Sequence, residues 1–147
     1  MPEMVTRQFG KIEFEEDSVL HFPSGLPGFE NKTRFVLLER VALTPLVAIQ
    51  SLDSMELCFF AAPLEAIDAG YQLAMTPEDQ RTLSLTADPR CLVILSPNKS
   101  GRWTANLLAP IVINQQAHRA VQAVRTDSLY SHQHSLSNPS REETPCS

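Results

Sequence analysis

Glycine is scarce, at five residues in 147. Scattered singly, the five cannot build a phosphate-cradling loop, and neither GxxxxGK[ST] nor GxSxG occurs. Cysteine is limited to Cys58, Cys91 and Cys146, with no CxxC pair. An odd count at wide spacing argues against a disulfide framework and against structural zinc. Cys58 and Cys91 sit in apolar runs and read as small buried hydrophobes, which suits a reducing compartment. Long apolar stretches are missing too. The two longest, Leu57 to Leu64 and Leu107 to Ile113, are cut by Pro63 and Pro110. Both fall well short of the ~20 residues of a membrane helix. Residues 1–7 hold no apolar signal core, so a soluble cytoplasmic protein is expected. Basic residues are outnumbered, 12 to 17, for a formal net charge of -5 and a pI near 5.3. That balance disfavours a broad grip on a nucleic-acid backbone. Eleven prolines disfavour long helices, and hence a bundle.

What is present suits one globular domain. The chain is 43% hydrophobic and 20% charged, and a chain of this length buries roughly two-thirds of its unfolded surface. Its hydrophobic pattern has period two more often than 3.6. A tight hairpin or bulge is expected around Gly10, and short strands at Val19–Phe22, Phe35–Leu38, Leu46–Leu52, Leu57–Ala62, Cys91–Leu95, Thr104–Leu108, Ile111–Asn114 and, last, Ala120–Val124. Thr76-Pro77-Glu78-Asp79 is a helix start, with a capping Thr, Pro at the first helical position and acids in the first turn. That helix should end near Leu83 or Ser84, and a single turn fits Leu64 to Asp68. Many short strands with one or two small helices predict an all-β sandwich or barrel. Residues 1–136 form the domain. Residues 137–147, rich in Ser, Pro and Glu, read as a flexible tail.

Residues able to carry chemistry are few. His21 follows Leu20 in a strand, and His132 and His134 form an HxH pair without an obvious third ligand. A small barrel that binds a ligand or works as an enzyme would need one of these at an enclosed polar mouth. Glu13, Glu15, Glu16 and Asp17 put four acids in five positions. Such a run is either a solvated turn that protects a strand edge or a contact for a basic partner. Phe22-Pro23-Ser24-Gly25-Leu26-Pro27-Gly28-Phe29-Glu30 joins a turn-rich backbone to three large apolar side chains. It should fold as a plug on a barrel mouth or present a binding face. In Thr104 to Asn114, Pro110 marks an edge or bulge, with Asn106 and Asn114 placed to satisfy loose backbone groups.

These last two stretches resemble the FPxGLPGFE and TANLLAPIVIN blocks of the FliW family. Arg7-Gln8-Phe9-Gly10, Ile49-Gln50-Ser51-Leu52-Asp53 and Leu129-Tyr130-Ser131 fall in that family's order. The resemblance spans residues 5 to 136. It implies a compact, mostly antiparallel β-barrel-like fold without catalytic activity or cofactor. It also implies two alternative partners in the cytoplasm: newly made flagellin, and CsrA, a small basic RNA-binding repressor of flagellin translation that is blocked allosterically.

In that light the residues expected to meet partners are Glu13, Glu15, Glu16 and Asp17 for the basic one. Phe22, Leu26, Phe29, Asn106, Ile111 and Ile113 are expected to line a groove for amphipathic flagellin helices. No metal, nucleic acid or membrane is expected, and the protein should be monomeric on its own.

Overall fold

The computed structural model describes residues 1–127 and 129–136. Two strands, β1 (Glu3–Thr6) and β2 (Gly10–Glu13), form an antiparallel hairpin. The remaining strands are β3 (Leu20–His21), β4 (Arg34–Leu38), β5 (Val47–Ser51), β6 (Cys58–Pro63), β7 (Arg90–Pro97), β8 (Trp103–Ala105), β9 (Ile111–Asn114), β10 (Arg119–Gln122) and β11 (His134–Ser135), with α1 (Leu64–Ile67) and α2 (Pro77–Leu83) between β6 and β7. Seven of these strands close on themselves in the order β3-β4-β5-β6-β7-β9-β10, and β10 returns to β3. Every pairing is antiparallel except that closing one, where Arg119 pairs with His21. The fold is therefore a closed β-barrel with two short helices.

Period-two alternation sorts the apolar residues into an inside and an outside set. Leu20, Phe22, Phe35, Ile49, Ala61, Leu92, Ile111, Ile113 and Ala120 fill the barrel. Their neighbours point outward, where three covers meet them. The β1–β2 hairpin lays Ile12, Met4 and Phe9 on Val36, Leu38, Ala48 and Phe60. Leu64 of α1, with Tyr71 and Tyr130, packs on Ala62, Val93, Leu95 and Ala105. Leu83 of α2 packs on Val112, Val121 and Ala123. Strands β5 and β9 are buried at every residue, the polar Gln50, Ser51 and Asn114 included.

The edge of β7 is shared. Arg90–Leu92 pair with β9, and Leu95–Pro97 pair with β8. The chain leaves β8 after Ala105 and not after Leu108: the Asn106 N–H makes the last bond to β7, at the Ile94 carbonyl (2.9 Å), and then the Leu107 N–H goes to the Ser131 carbonyl (3.0 Å) while the Asn106 side chain accepts from the Leu108 N–H (3.1 Å). Pro110 accepts from the Ala123 N–H (2.8 Å), so the stretch crosses to β9 without a stranded backbone group. The expected helix is present, with a reciprocal capping box between Thr76 and Asp79. Strand β10 is not the last: β11 follows and pairs with β8. The expected tail at 137–147, Cys146 included, lies outside the described residues.

The Phe22–Glu30 loop plugs the barrel. Phe22 and Leu26 are buried, and Phe22 meets Phe35 edge-on at 5.1 Å. Leu26-Pro27-Gly28-Phe29 is a type II turn, with φ +86° at Gly28 and the Phe29 N–H donating to the Leu26 carbonyl at 2.7 Å. Glu30 caps it by accepting from the Gly28 N–H at 3.0 Å, which holds its carboxyl below the ordinary range. Gly25 is more constrained. Its φ is +67°, and a Cβ there would lie 2.5 Å from the Glu30 carbonyl oxygen, whereas a Cβ at Gly28 meets nothing within 4 Å.

Gly28→Ala should therefore cost only the left-handed strain of about 1–2 kcal/mol. Gly25→Ala adds a backbone collision and should cost about 3 kcal/mol or more. Urea midpoints of the two variants measure the difference. Equal losses would show that the loop moves freely around Gly25.

Candidate partner-binding surface

Strand direction gives the barrel two ends. At the first lie the exit of β4, the entry of β7 and the β9–β10 turn. At the second lie the Phe22–Glu30 loop, the Ser51–Leu57 loop and the β7–β8 hairpin. The predicted residues divide between them. Glu13, Glu15, Glu16 and Asp17 lead into β3 at the first end, on a 3₁₀ turn over Glu16–Ser18 held by the Ser18 N–H donating to the Glu15 carbonyl at 2.9 Å. All four acids are exposed, and none is ion-paired among the described residues. Glu3 stands opposite Glu13 in the hairpin and adds a further acid, itself paired with Lys11 at 3.3 Å.

The apolar candidates need correction. Phe22, Leu26, Ile111 and Ile113 are at most 2% exposed. They hold the barrel together and line no groove, because an inward-facing strand residue is satisfied by the opposite wall. Asn106 is half-buried and occupied with the backbone at the β8 exit. Phe29 alone of the apolar set reaches the surface, 38% exposed and edge-on to Phe59 at 5.9 Å. It lies at the second end, away from the acids.

The remaining candidates show no catalytic grouping. His21, His132 and His134 are exposed. No cluster of three or more His, Cys, Asp or Glu able to hold a metal occurs among the described residues. Burial raises the Cys58 thiol to about 11, and burial with the charge of Glu65 raises Cys91, so both stay protonated near neutrality. A cleft of about 210 Å³ opens at the first end between Ser18, Leu20, Leu37, Gln115, His118 and the Glu39–Arg90 pair. That pair is bidentate, at 2.8 and 3.3 Å, and Arg90 holds the Glu39 carboxyl below its usual range.

Two polar centres were not legible as such. Arg125 is buried with its guanidinium 4.9 Å from the Tyr130 ring, which stacks on Tyr71 at 4.1 Å. Arg125 donates to both carboxylate oxygens of Asp127, at 3.0 and 2.7 Å, and to the Gln72 carbonyl. Tyr71 donates to the Leu107 carbonyl at 2.6 Å. The cluster pins Tyr130 onto the barrel wall, and its only sequence sign is an Arg at the end of an apolar strand with an Asp two residues on.

The second centre is Asp53. One oxygen accepts from the N–H groups of Thr33 (2.9 Å) and Arg34 (3.1 Å), and the other from the Arg34 guanidinium (3.2 Å). It ties the Ser51–Leu57 loop to the base of the plug. The Ile49–Asp53 block carries it.

Burial alone would push the Asp53 carboxyl up, but the two amides and Arg34 outweigh it, so it titrates below the ordinary value. A depressed folded pKa gives stability that is complete above the unfolded value near 4 and lost as pH falls through the folded one. Asp53→Asn should thus lose about 1–3 kcal/mol at pH 7, and the gap from wild type should narrow in acid. Urea unfolding at pH 7 and pH 3 checks this; a gap of constant size would assign the staple to shape and not to charge.

Comparison with known proteins agrees with this architecture. The sequence profile of the family described as "FliW protein" matches residues 3–136. The flagellar assembly factor FliW of Syntrophomonas wolfei is 32% identical over 144 residues, covering 96% of this chain and 92% of that protein. The same factor from an Azoarcus species is 35% identical over 125 residues, covering 79% and 86%. The crystal structure of a flagellar assembly factor FliW superposes with a TM-score of 0.84 at 30% identity, covering 93% of this chain and 98% of the other. With the profile spanning nearly the whole barrel and relatives above 30% identity along it, this chain belongs to the FliW family.

Proposed function

We propose that the protein is a flagellar assembly factor acting in the cytoplasm, binding flagellin before export and otherwise capturing the repressor CsrA. It works by stoichiometric binding and not by turnover. The observation that supports this reading most is the exposed acidic run from Glu13 to Asp17, whose carboxylates have no ion pair among the described residues while others are taken up. Glu39, Asp53 and Asp127 are each paired with an arginine, and Glu30 is held by a backbone amide. Free carboxylates on a short rigid turn attract a small basic protein, and they set its rate of approach more than the final affinity. The described helices are of four and seven residues, and no helix among the described residues is long and apolar enough to cross a membrane. Phe29, exposed on the plug, is the apolar residue from the original set still available to a flagellin helix.

The test is a pull-down and titration with purified flagellin and purified CsrA, separately and together. Charge reversal of Glu13, Glu15, Glu16 and Asp17 to Lys should slow CsrA association roughly tenfold or more at low salt. It should leave the thermal melt near wild type, since exposed charges move stability by about half a kcal/mol each. Flagellin binding should persist in that variant and weaken in Phe29→Ala. CsrA capture that ignores both the reversal and added salt would overturn the role of the acidic turn. Absence of binding to either partner would overturn the reading as a whole.

A further inference from the structure

Residues 89–126 contain no Asp or Glu, although the chain holds 17 of them. The same stretch carries Arg90, Lys99, Arg102, Arg119 and Arg125. Arg90 is paired with Glu39 and Arg125 with Asp127. Arg119 is half-buried, with its Nε enclosed. Lys99 and Arg102 remain, both exposed on the β7–β8 hairpin, and no carboxylate meets either side chain among the described residues.

The hairpin is stiff. The Asn98 N–H donates to the Arg102 carbonyl at 2.7 Å. The Asn98 side-chain oxygen accepts from the N–H groups of Ser100 and Arg102, both at 3.0 Å, and from the Ser100 hydroxyl at 2.8 Å. Gly101, at φ +83°, donates to the Asn98 carbonyl at 3.0 Å. Trp103 follows directly and is 47% exposed. It pairs with Pro97, and the Leu136 N–H donates to its carbonyl at 3.3 Å. By strand alternation it shares the outer face with Ala105. A large indole left half in water on the same rigid hairpin as two exposed cations is an uncommon surface, since tryptophan is mostly well buried.

We infer that the β7–β8 hairpin, through Lys99, Arg102 and Trp103, is a docking surface for an acidic polypeptide segment that carries an apolar side chain. The cations meet carboxylates, and the indole covers the apolar group. Charge complementarity selects this occupant: Lys99 and Arg102 are exposed cations on one turn, without an ion pair among the described residues, on a protein of net charge -5. A nucleic acid fits less well, because two cations do not track a phosphate backbone and the rest of the protein repels it. The inference goes beyond the flagellin and CsrA reading and does not need it, since the acids assigned to CsrA lie at the other end of the barrel.

Trp103 is the only tryptophan in the chain, so its fluorescence reports on this surface alone. The full-length protein is titrated with a short synthetic peptide of alternating Glu and Leu. The comparison ligands are the same peptide with Lys for Glu, the same peptide with Ser for Leu, and a single-stranded oligoribonucleotide. The Glu/Leu peptide should shift the emission to shorter wavelength and saturate, and the other three should not. With labelled peptide and anisotropy as the readout, Lys99→Glu with Arg102→Glu should weaken binding about tenfold at low salt. Trp103→Ala should weaken it and Trp103→Phe should restore most of it. An equal response to the Lys/Leu peptide, undiminished binding in the charge-reversed variant, or a shift produced by the oligoribonucleotide in place of the peptide would each overturn the inference. So would an emission that moves with protein concentration alone, which would give the surface to a second copy of the chain.

Discussion

Barrel closure is the constraint from which the rest of the structure follows. The closing contact is small: the His21 N–H donates to the His118 carbonyl at 2.9 Å, where β3 runs parallel to β10. His118 sits at φ +54°, a conformation that side-chain-bearing residues adopt at a cost. The turn that imposes it is held by Asn114, which accepts from the N–H groups of Gln116 and Ala117, both at 3.1 Å, and donates to the Leu83 carbonyl at 2.7 Å. One asparagine therefore links the β9–β10 turn, the barrel seam and the end of α2. A closed barrel has no central edges, but it leaves an outer apolar surface. The hairpin, α1 with the tyrosine pair, and α2 exist to cover it. Without closure, the alternating strands would have one inside face too few.

Strand positions were readable from the chain, because Phe35-Val36-Leu37-Leu38 and Cys91-Leu92-Val93-Ile94-Leu95 are short apolar runs bounded by polar and turn residues, but with both faces apolar the runs do not say which residues point inward. The limits were set by what a strand pairs with. Thr104 to Leu108 reads as one run, yet the strand ends at Ala105: after the bond from the Asn106 N–H to Ile94, the Leu107 N–H goes to the Ser131 carbonyl, the Asn106 side chain accepts from the Leu108 N–H, and β9 takes the remaining edge of β7. β11 consists of His134 and Ser135, both exposed; an edge strand of two polar residues leaves no hydrophobic period to find. The same ambiguity governed the site. Phe22, Leu26, Ile111 and Ile113 carry apolar area that a groove or a core could equally use, and only three-dimensional closure assigns them to the core. The acidic run was legible as an exposed feature because nothing apolar interrupts it beyond Phe14.

Carboxylates separate into two populations. Asp53, Glu39, Asp127 and Glu30 are held by donors, and each titrates below its ordinary range because of them. They tie loops to the barrel, joining segments far apart in sequence such as Glu39 with Arg90 and Asp53 with Arg34. The side chains of Glu13, Glu15, Glu16 and Asp17 make no ion pair among the described residues. Exposed charges left unpaired add little to stability. Their physical effect is therefore outward, on what approaches the first end of the barrel. Lys99 and Arg102 have the opposite sign and the same freedom at the second end.

The two ends are close enough to interfere. β5 has five residues, so the wall beside it is about 17 Å long. An amphipathic helix of twenty residues is about 30 Å long, and a small folded protein is wider than the wall is tall. A partner seated at either end would thus overhang the rim and crowd the other. Two partners of that size seated at opposite ends would come within reach of each other even if they share no contact residue. The rigidity of the wall supports this over a shape change. β5 and β9 are buried on both faces, and a core packed from inside and outside transmits displacement poorly unless it has a second stable arrangement. The loops at the second end are likewise pinned, by Asp53 to the base of the plug and by the Gly25 and Phe29 N–H groups donating to the Phe22 and Leu26 carbonyls. If the two proposed partners alternate, crowding around a fixed scaffold would be enough to separate them, with no second arrangement of the barrel required.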